Sequence, residues 1–283
     1  LPPRLEGIGP STSLWIRRYK RPSTLALLAF IVVAPLLAAS SLGGHYTWSQ
    51  LLGLEPGGGV AAGFNVFSWS WLLAILLGVG MFAGDLSDGL VAYVLSKPVT
   101  REAYVVSKIT VAAVLLAIIY LASAAVSMAA AAVSGSSYTL SAILYAVLYA
   151  VSSMPLVLAS ALLGFLLRSV GRAFAAAVVG WVVTQVASSL AALRWGMARA
   201  LLVAAASPFP DPRALPQLFY SASTGSALTG APGVRIYVGT PGSYAGAAIA
   251  ASWHTAVLGL VAAIAWSAAL SAITVYVIKR SDF

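Results

Sequence analysis

Residues 84–102 read Gly84-Asp85-Leu86-Ser87-Asp88-Gly89-Leu90-Val91-Ala92-Tyr93-Val94-Leu95-Ser96-Lys97-Pro98-Val99-Thr100-Arg101-Glu102, a charged, amphipathic island between two long apolar runs. Asp85 and Asp88 stand at its start, Lys97 and Arg101 near its end. That order suits a helix, whose dipole favours negative charge at the N-terminus and positive charge at the C-terminus. Pro98 stops the helix, because proline lacks a backbone donor and biases Lys97 away from helical angles. Leu90, Tyr93 and Val94 fall at spacings of three and four and make one apolar ridge. An ordinary polar loop needs only solubility and a tight turn. A short helix bracketed by two charge pairs suits docking.

The composition fixes the solvent. Sixty percent of the 283 residues are apolar, 8% are charged, and the mean hydropathy is +0.94, whereas soluble domains average about 25% charged residues. The long apolar runs define an integral membrane protein. A net charge of +9 would suit nucleic acid, but the basic residues sit at the ends of apolar runs rather than on one face. Nucleic acid is therefore not an expected partner. The absence of cysteine excludes disulfides and thiol chemistry.

Six spans are expected in one domain, 1–283, of all-α class. Residues 1–22 form an N-terminal segment in which Ser13 to Arg21 mix aromatic and basic side chains, as interfacial helices do. The apolar run behind it is long enough to span and lacks a secretory cleavage site. The spans fall at about 24–42 (with Pro35), 66–84, 104–133, 139–167 (with Pro155), 173–193 and 246–278. Trp48, Trp69 and Trp71 belong to an interfacial belt. A short cytoplasmic helix, 85–103, joins the second and third spans. Residues 196–245 form an external loop: 197–206 is helical in pattern, Ser207-Pro208-Phe209-Pro210-Asp211-Pro212 is not, and Val234–Val238 reads as one short strand. The loop packs on the membrane face, with room for a re-entrant helical piece. Twelve of the sixteen basic residues lie on the side of both termini, against Arg194, Arg199, Arg213 and Arg235 opposite, which puts both termini in the cytoplasm.

The quoted stretch resembles permease subunits of ABC transporters, in the type-two exporter family. The family pattern after the second span is acidic-x-x-x-Gly-Thr-Leu, a leucine run, Ser-Arg-Pro-Val-Ser-Arg, then Lys on the next helix. Asp85, Gly89, Val91, Leu95, Ser96, Lys97, Pro98, Val99, Thr100, Arg101 and Lys108 occupy those places. Asp85 replaces the usual Glu, Leu90 the usual Thr, and Lys97 the common Arg. The ending Lys279-Arg280-Ser281-Asp282 is also similar to the family's. The resemblance implies a plasma-membrane exporter subunit that pairs with a second permease, its own copy or a homologue, and with two separate ATPase subunits. ATP and Mg would be bound by those partners and no cofactor by this chain. Asp85, Asp88, Gly89, Tyr93, Lys97, Pro98 and Arg101 would couple it to the ATPase.

The residues themselves offer little other chemistry. None of the expected spans has an internal Asp or Glu, which disfavours a proton-coupled carrier. His45 and His254 are isolated, so no metal site is expected. There is no His-Glu-x-x-His, no Gly-x-Ser-x-Gly and no phosphate-binding loop, so the chain is not read as an enzyme. Polar stripes run along three spans: Tyr120, Ser123 and Ser127; Tyr145, Tyr149 and Ser152; Thr184, Gln185, Ser188 and Ser189. Helix–helix hydrogen bonding explains them better than substrate contact does. If a pathway is lined, Thr184, Gln185 and Ser188 line it, because an amide facing lipid is costly. Trp181 and Trp266 read as apolar fillers. Two other functions compete with an ATP-driven permease: a non-transporting anchor in a respiratory or secretion complex, and a secondary carrier. No inverted repeat supports the latter.

The topology is directly testable. Single cysteines at Ser169 and Ser281 should react with an impermeant reagent only from the cytoplasmic side, and one at Gly58 only from outside.

Overall fold

The computed structural model describes residues 52, 54, 67–87, 100–133, 141–224 and 251–280, and all regular structure among them is α-helix. Seven helices follow in order: α1 Ser70–Ser87, α2 Arg101–Val133, α3 Ser141–Leu167, α4 Val170–Trp195, α5 Met197–Ala205, α6 Ala214–Thr224 and α7 Trp253–Arg280. Four of them, α2, α3, α4 and α7, are long and apolar enough to cross a membrane. The 18-residue α1 is about 27 Å long, close to the roughly 30 Å hydrocarbon core. Five of the six expected spans thus fall on observed helices. The first, 24–42, lies outside the described residues, as do the interfacial segment 13–21, most of the docking stretch (88–99), and the strand at 234–238.

The longest packing seam joins α1 to α3. Lipid tails are as apolar as leucine, so helices in a bilayer associate through close packing and hydrogen bonds, and small residues at the seam allow it. A Cβ at Gly78 would overlap the carbonyl oxygen of Val157 and lie 2.7 Å from the Cβ of Ser160. One at Gly164 would lie 3.1 Å from the oxygen of Val79. Above this seam the buried rings of Phe67, Tyr120 and Tyr149 cluster, with Phe67 4.8 Å from Tyr149 and 5.7 Å from Tyr120. Their hydroxyls are used between segments: Tyr120 pairs with Ser153 at 2.8 Å, and Tyr149 donates to the carbonyl of Leu52 at 2.8 Å. Ser152 donates to Pro212 at 2.9 Å and Tyr145 pairs with Ser223 at 3.0 Å. Tyr120, Tyr145, Tyr149 and Ser152 therefore serve segment contacts, whereas the hydroxyls of Ser123 and Ser127 on the first stripe are buried with no hydrogen-bond partner.

The chain after α4 turns back on itself. Gly196, at φ 88°, sits in the left-handed region that favours glycine and separates α4 from α5. Pro208, Pro210 and Pro212 prevent α5 from continuing, and α6 starts only at Ala214. The tip between α5 and α6 touches Thr184, Ser152 and Trp266. These lie eleven residues before Trp195, eleven after Ser141 and thirteen after Trp253. At 1.5 Å per residue the tip is about 16–20 Å along these helices from their ends. Within the expected loop 196–245, residues 197–224 thus form a helical hairpin whose tip packs among α3, α4 and α7. Phe209 reaches α4 because Gly180 leaves room, a Cβ there being 3.0 Å from the ring.

The α1–α3 seam predicts a sharp contrast between neighbouring glycines. Gly78→Val should destabilise by about 1–3 kcal/mol through overpacking, read as a lower unfolding temperature in detergent. Gly80→Ala, where a Cβ meets nothing within 4 Å, should leave it unchanged.

Candidate functional site

Two polar junctions stand out against the apolar bundle. The first is where α1 ends and α2 begins. Asp85 Oδ2 accepts from Lys108 Nζ at 2.6 Å and from the Tyr104 hydroxyl at 2.8 Å. Lys108 also donates to the carbonyl of Met81, and its ammonium lies 4.7 Å from the Phe82 ring centre and 4.5 Å from that of Tyr104. Both charged side chains are buried, at 4% and 0% exposure. Such a pair holds only when desolvation is offset by close geometry and further donors, and this one has both.

The same end carries lighter ties. Thr100 Oγ1 accepts from the amide of Ala103 at 3.2 Å and caps α2. Arg101 Nη1 donates to the carbonyl of Lys279 at 3.2 Å, and Lys279 Nζ meets Glu102 Oε1 at 2.8 Å. These contacts join the start of α2 to the end of α7. The Lys279–Glu102 pair is largely exposed and is worth at most about 1 kcal/mol. The buried Asp85–Lys108 pair dominates.

The second junction is the hairpin tip. Asp211 is fully buried. Its Oδ1 accepts from the Arg213 amide at 3.0 Å and Arg213 Nε at 3.1 Å, and its Oδ2 from Arg213 Nη2 at 2.9 Å. A fourth donor, Gln185 Nε2 of α4, reaches Oδ2 at 3.1 Å. Beside it Thr184 Oγ1 pairs with Ser207 Oγ at 2.8 Å, and Trp266 Nε1 donates to the carbonyl of Ala206 at 2.7 Å. Trp181 stacks on Trp71 with centroids 4.2 Å apart and planes 10° apart.

The expected site residues separate accordingly. Asp85 was expected at the start of an exposed docking helix; it belongs to α1 instead and points inward, because Lys108 and Tyr104 hold it there. Asp88, Gly89, Tyr93, Lys97 and Pro98 lie outside the described residues. Arg101 opens α2 at the same end. Thr184 and Gln185 face the hairpin, while the hydroxyl of Ser188 returns to the carbonyl of Gln185 in its own helix at 2.9 Å. Asp211 lies outside the expected spans, in the turn between α5 and α6, which brings it into the bundle with its own counter-charge. Trp266 is more than a filler, since its indole donates to the hairpin. Among the described residues no cluster of His, Asp or Glu could hold a metal ion.

A bundle with four helices long and apolar enough to cross a membrane, and with two buried polar junctions between them, defines a polytopic membrane protein. The family model described as ABC-2 family transporter protein matches residues 58–283, and the chain belongs to that family. It is a multi-pass protein of the cell membrane and a transport permease subunit. No curated protein and no solved structure matches it.

Removing one member of the buried pair should be costly and removing both should not. Lys108→Met or Asp85→Leu alone should lose about 3–5 kcal/mol of stability. The double variant should recover most of that, as a double-mutant cycle on thermal unfolding would measure.

Proposed function

We propose that this chain is the membrane subunit of an ATP-driven exporter, in which separate ATPase subunits bind ATP and Mg and drive a pair of permease chains. The substrate is moved across the membrane or out of it. In this reading the end of the bundle bearing Arg101, Arg168, Arg172, Lys279 and Arg280 faces the cytoplasm, as the excess of basic residues there favours. The ATPase grips residues 88–101, with Tyr93 and its apolar neighbours in a groove and Lys97 and Arg101 setting the register.

The observation that carries the proposal is how the two helices flanking that segment are tied. Displacing the segment moves α1 and α2 together, because parting them would break the buried Asp85–Lys108 and Asp85–Tyr104 contacts. The Arg101 and Glu102 contacts to Lys279 pass the same displacement to α7. A push on one short helix therefore becomes movement of three helices, the rigid-body rocking that alternating access uses. A non-transporting anchor would have no need of such a linkage.

Charge reversal at Arg101 and removal of the Tyr93 ring test this. Arg101→Glu and Tyr93→Ala should each weaken capture of the ATPase subunit by about ten-fold or more, the loss of one good interfacial contact. The membrane fold should persist, judged by an unchanged elution profile in detergent. Capture at the normal level by both variants would remove the docking role.

A further inference from the structure

We propose that a crevice between α4 and α7, at the end of the bundle where Arg168, Arg172 and Arg280 stand, holds one lipid of the bilayer with an anionic phosphate head group. The site stands whether or not an ATPase drives the chain. Its shape follows from what the hairpin leaves uncovered. α4 and α7 each pack on α3, and among the described residues no seam joins α4 to α7 directly. The hairpin reaches between them as far as Phe209, which lies on Gly180 of α4 and packs on Leu158, Ala159 and Leu270 of α3 and α7. Residues seven apart lie on nearly one line of a helix. On α3 that line runs from Ser152, bonded to the hairpin, through Ala159, 4% exposed, to Leu166, 56% exposed. On α7 it runs from Trp266, also bonded to the hairpin, through Ile273, 44% exposed, to exposed Arg280. On α4, steps of four lead from Gly180 through Ala176 to exposed Arg172. All three walls are covered at the hairpin and bare toward this end. The end of α7 is held to the other side, because Arg101 and Glu102 tie it to α2 through Lys279.

Length and charge then select the occupant. Arg172 lies eight residues from Gly180 and Arg280 fourteen from Trp266, about 12–21 Å of helix at 1.5 Å per residue. One leaflet's hydrocarbon, half of a core about 30 Å thick, falls within that span. An acyl chain can therefore lie along Leu166 and Ile273 with its head at the arginines. None of Arg168, Arg172 and Arg280 makes an ion pair among the described residues. Arg280 folds back over the exposed ring of Tyr276, its guanidinium 4.6 Å from the ring centre, on the side of α7 that Ile273 and Trp266 share. Arg168 turns the chain from α3 into α4 at φ 48°, in the left-handed region that favours glycine. A glycine would make that turn without strain; the arginine adds a charge. Guanidinium binds phosphate oxygens in pairs, and a zwitterionic head group already neutralises its phosphate with its own ammonium. Three unpaired guanidiniums thus favour an anionic head. A second copy of this chain on a two-fold axis would bring the same positive charges to the contact. A soluble subunit would cover the mouth and leave the apolar walls bare.

Lipid retention tests the site. The full chain in detergent is mixed with equal amounts of phosphatidylglycerol and phosphatidylcholine, and bound lipid is counted by native mass spectrometry. Phosphatidylglycerol should be retained about ten-fold over phosphatidylcholine. Arg172→Gln with Arg280→Gln should abolish that preference. Arg168→Gly should weaken it while the unfolding temperature holds or rises, since glycine relieves the turn. Equal retention of the two lipids by the unaltered chain overturns the site, as does a preference that survives all three substitutions. The sequence contains no cysteine, so a fluorophore on Ile273→Cys reads the crevice wall alone. In vesicles of equal parts of the two lipids, bromines on the phosphatidylglycerol chains should quench it more strongly than bromines on the phosphatidylcholine chains. Equal quenching by both shows ordinary bilayer contact, and quenching by neither shows a wall covered by protein. Either result overturns the site.

Discussion

Where α1 ends and α2 begins, one constraint governs the packing: Lys108 and Asp85 are both removed from water and meet at 2.6 Å, with the Tyr104 hydroxyl and the Met81 carbonyl beside them. Neither helix could bring its charge to this depth alone. α2 would have to carry an ammonium against Phe82, and α1 a carboxylate beside Tyr104. Together they fix how far α1 slides along α2, since a shift of one residue moves a helical side chain about 100° around the axis and 1.5 Å along it. The pairing thus sets the register of α1 against α2 at this end of the bundle.

Most of the fold was legible because its determinants are local. Length and apolarity mark the spans, and the observed helices α2, α3, α4 and α7 start and stop within a few residues of the expected bounds, α7 seven residues late. The docking end was only half legible. Asp85 and Lys108 are separated by the whole docking segment, so their contact exists only once α1 and α2 lie antiparallel. The signal that could have found it is physical: a Lys eight residues into a long apolar helix requires a partner, and the nearest acidic residue on the preceding helix is Asp85.

The hairpin was legible only in part: its first helix, 197–205, showed in the pattern, and its burial did not. Three prolines in five residues spell an irregular, exposed turn by every local rule, and Asp211 within them looks like a surface residue. Depth is not a local property. Ala204, Leu201, Leu215 and Leu218 on the flanking short helices bury completely against the bundle and carry the turn inward. The polar content of the turn is then met by groups it brings itself, Arg213 above all, and by Thr184, Gln185 and Ser152. Irregular backbone at membrane depth is tolerated only when enclosed by protein in this way.

The two junctions divide the bundle mechanically. α3 packs against α1, α2, α4, α6 and α7, and its seam with α1 is built on backbones in near contact at Gly78 and Gly164. That seam cannot open without exposing glycine backbone to lipid or leaving voids, neither of which has a compensating term. By contrast α4 and α7 turn long apolar faces outward, with Val179, Val183 and Leu190 on one and Val257, Val261 and Ile264 on the other more than 45% exposed. Lipid can follow such faces as they tilt, at no cost in buried polar groups. α1 and α3 therefore stay together as one unit in any such movement. α7, tied to the docking end through Lys279 and to the hairpin through Trp266, is the one described helix with a polar contact at both junctions. One stretch of α7, the fourteen residues from Trp266 to Lys279, thus joins the start of α2 to the carbonyl of Ala206 at the hairpin tip.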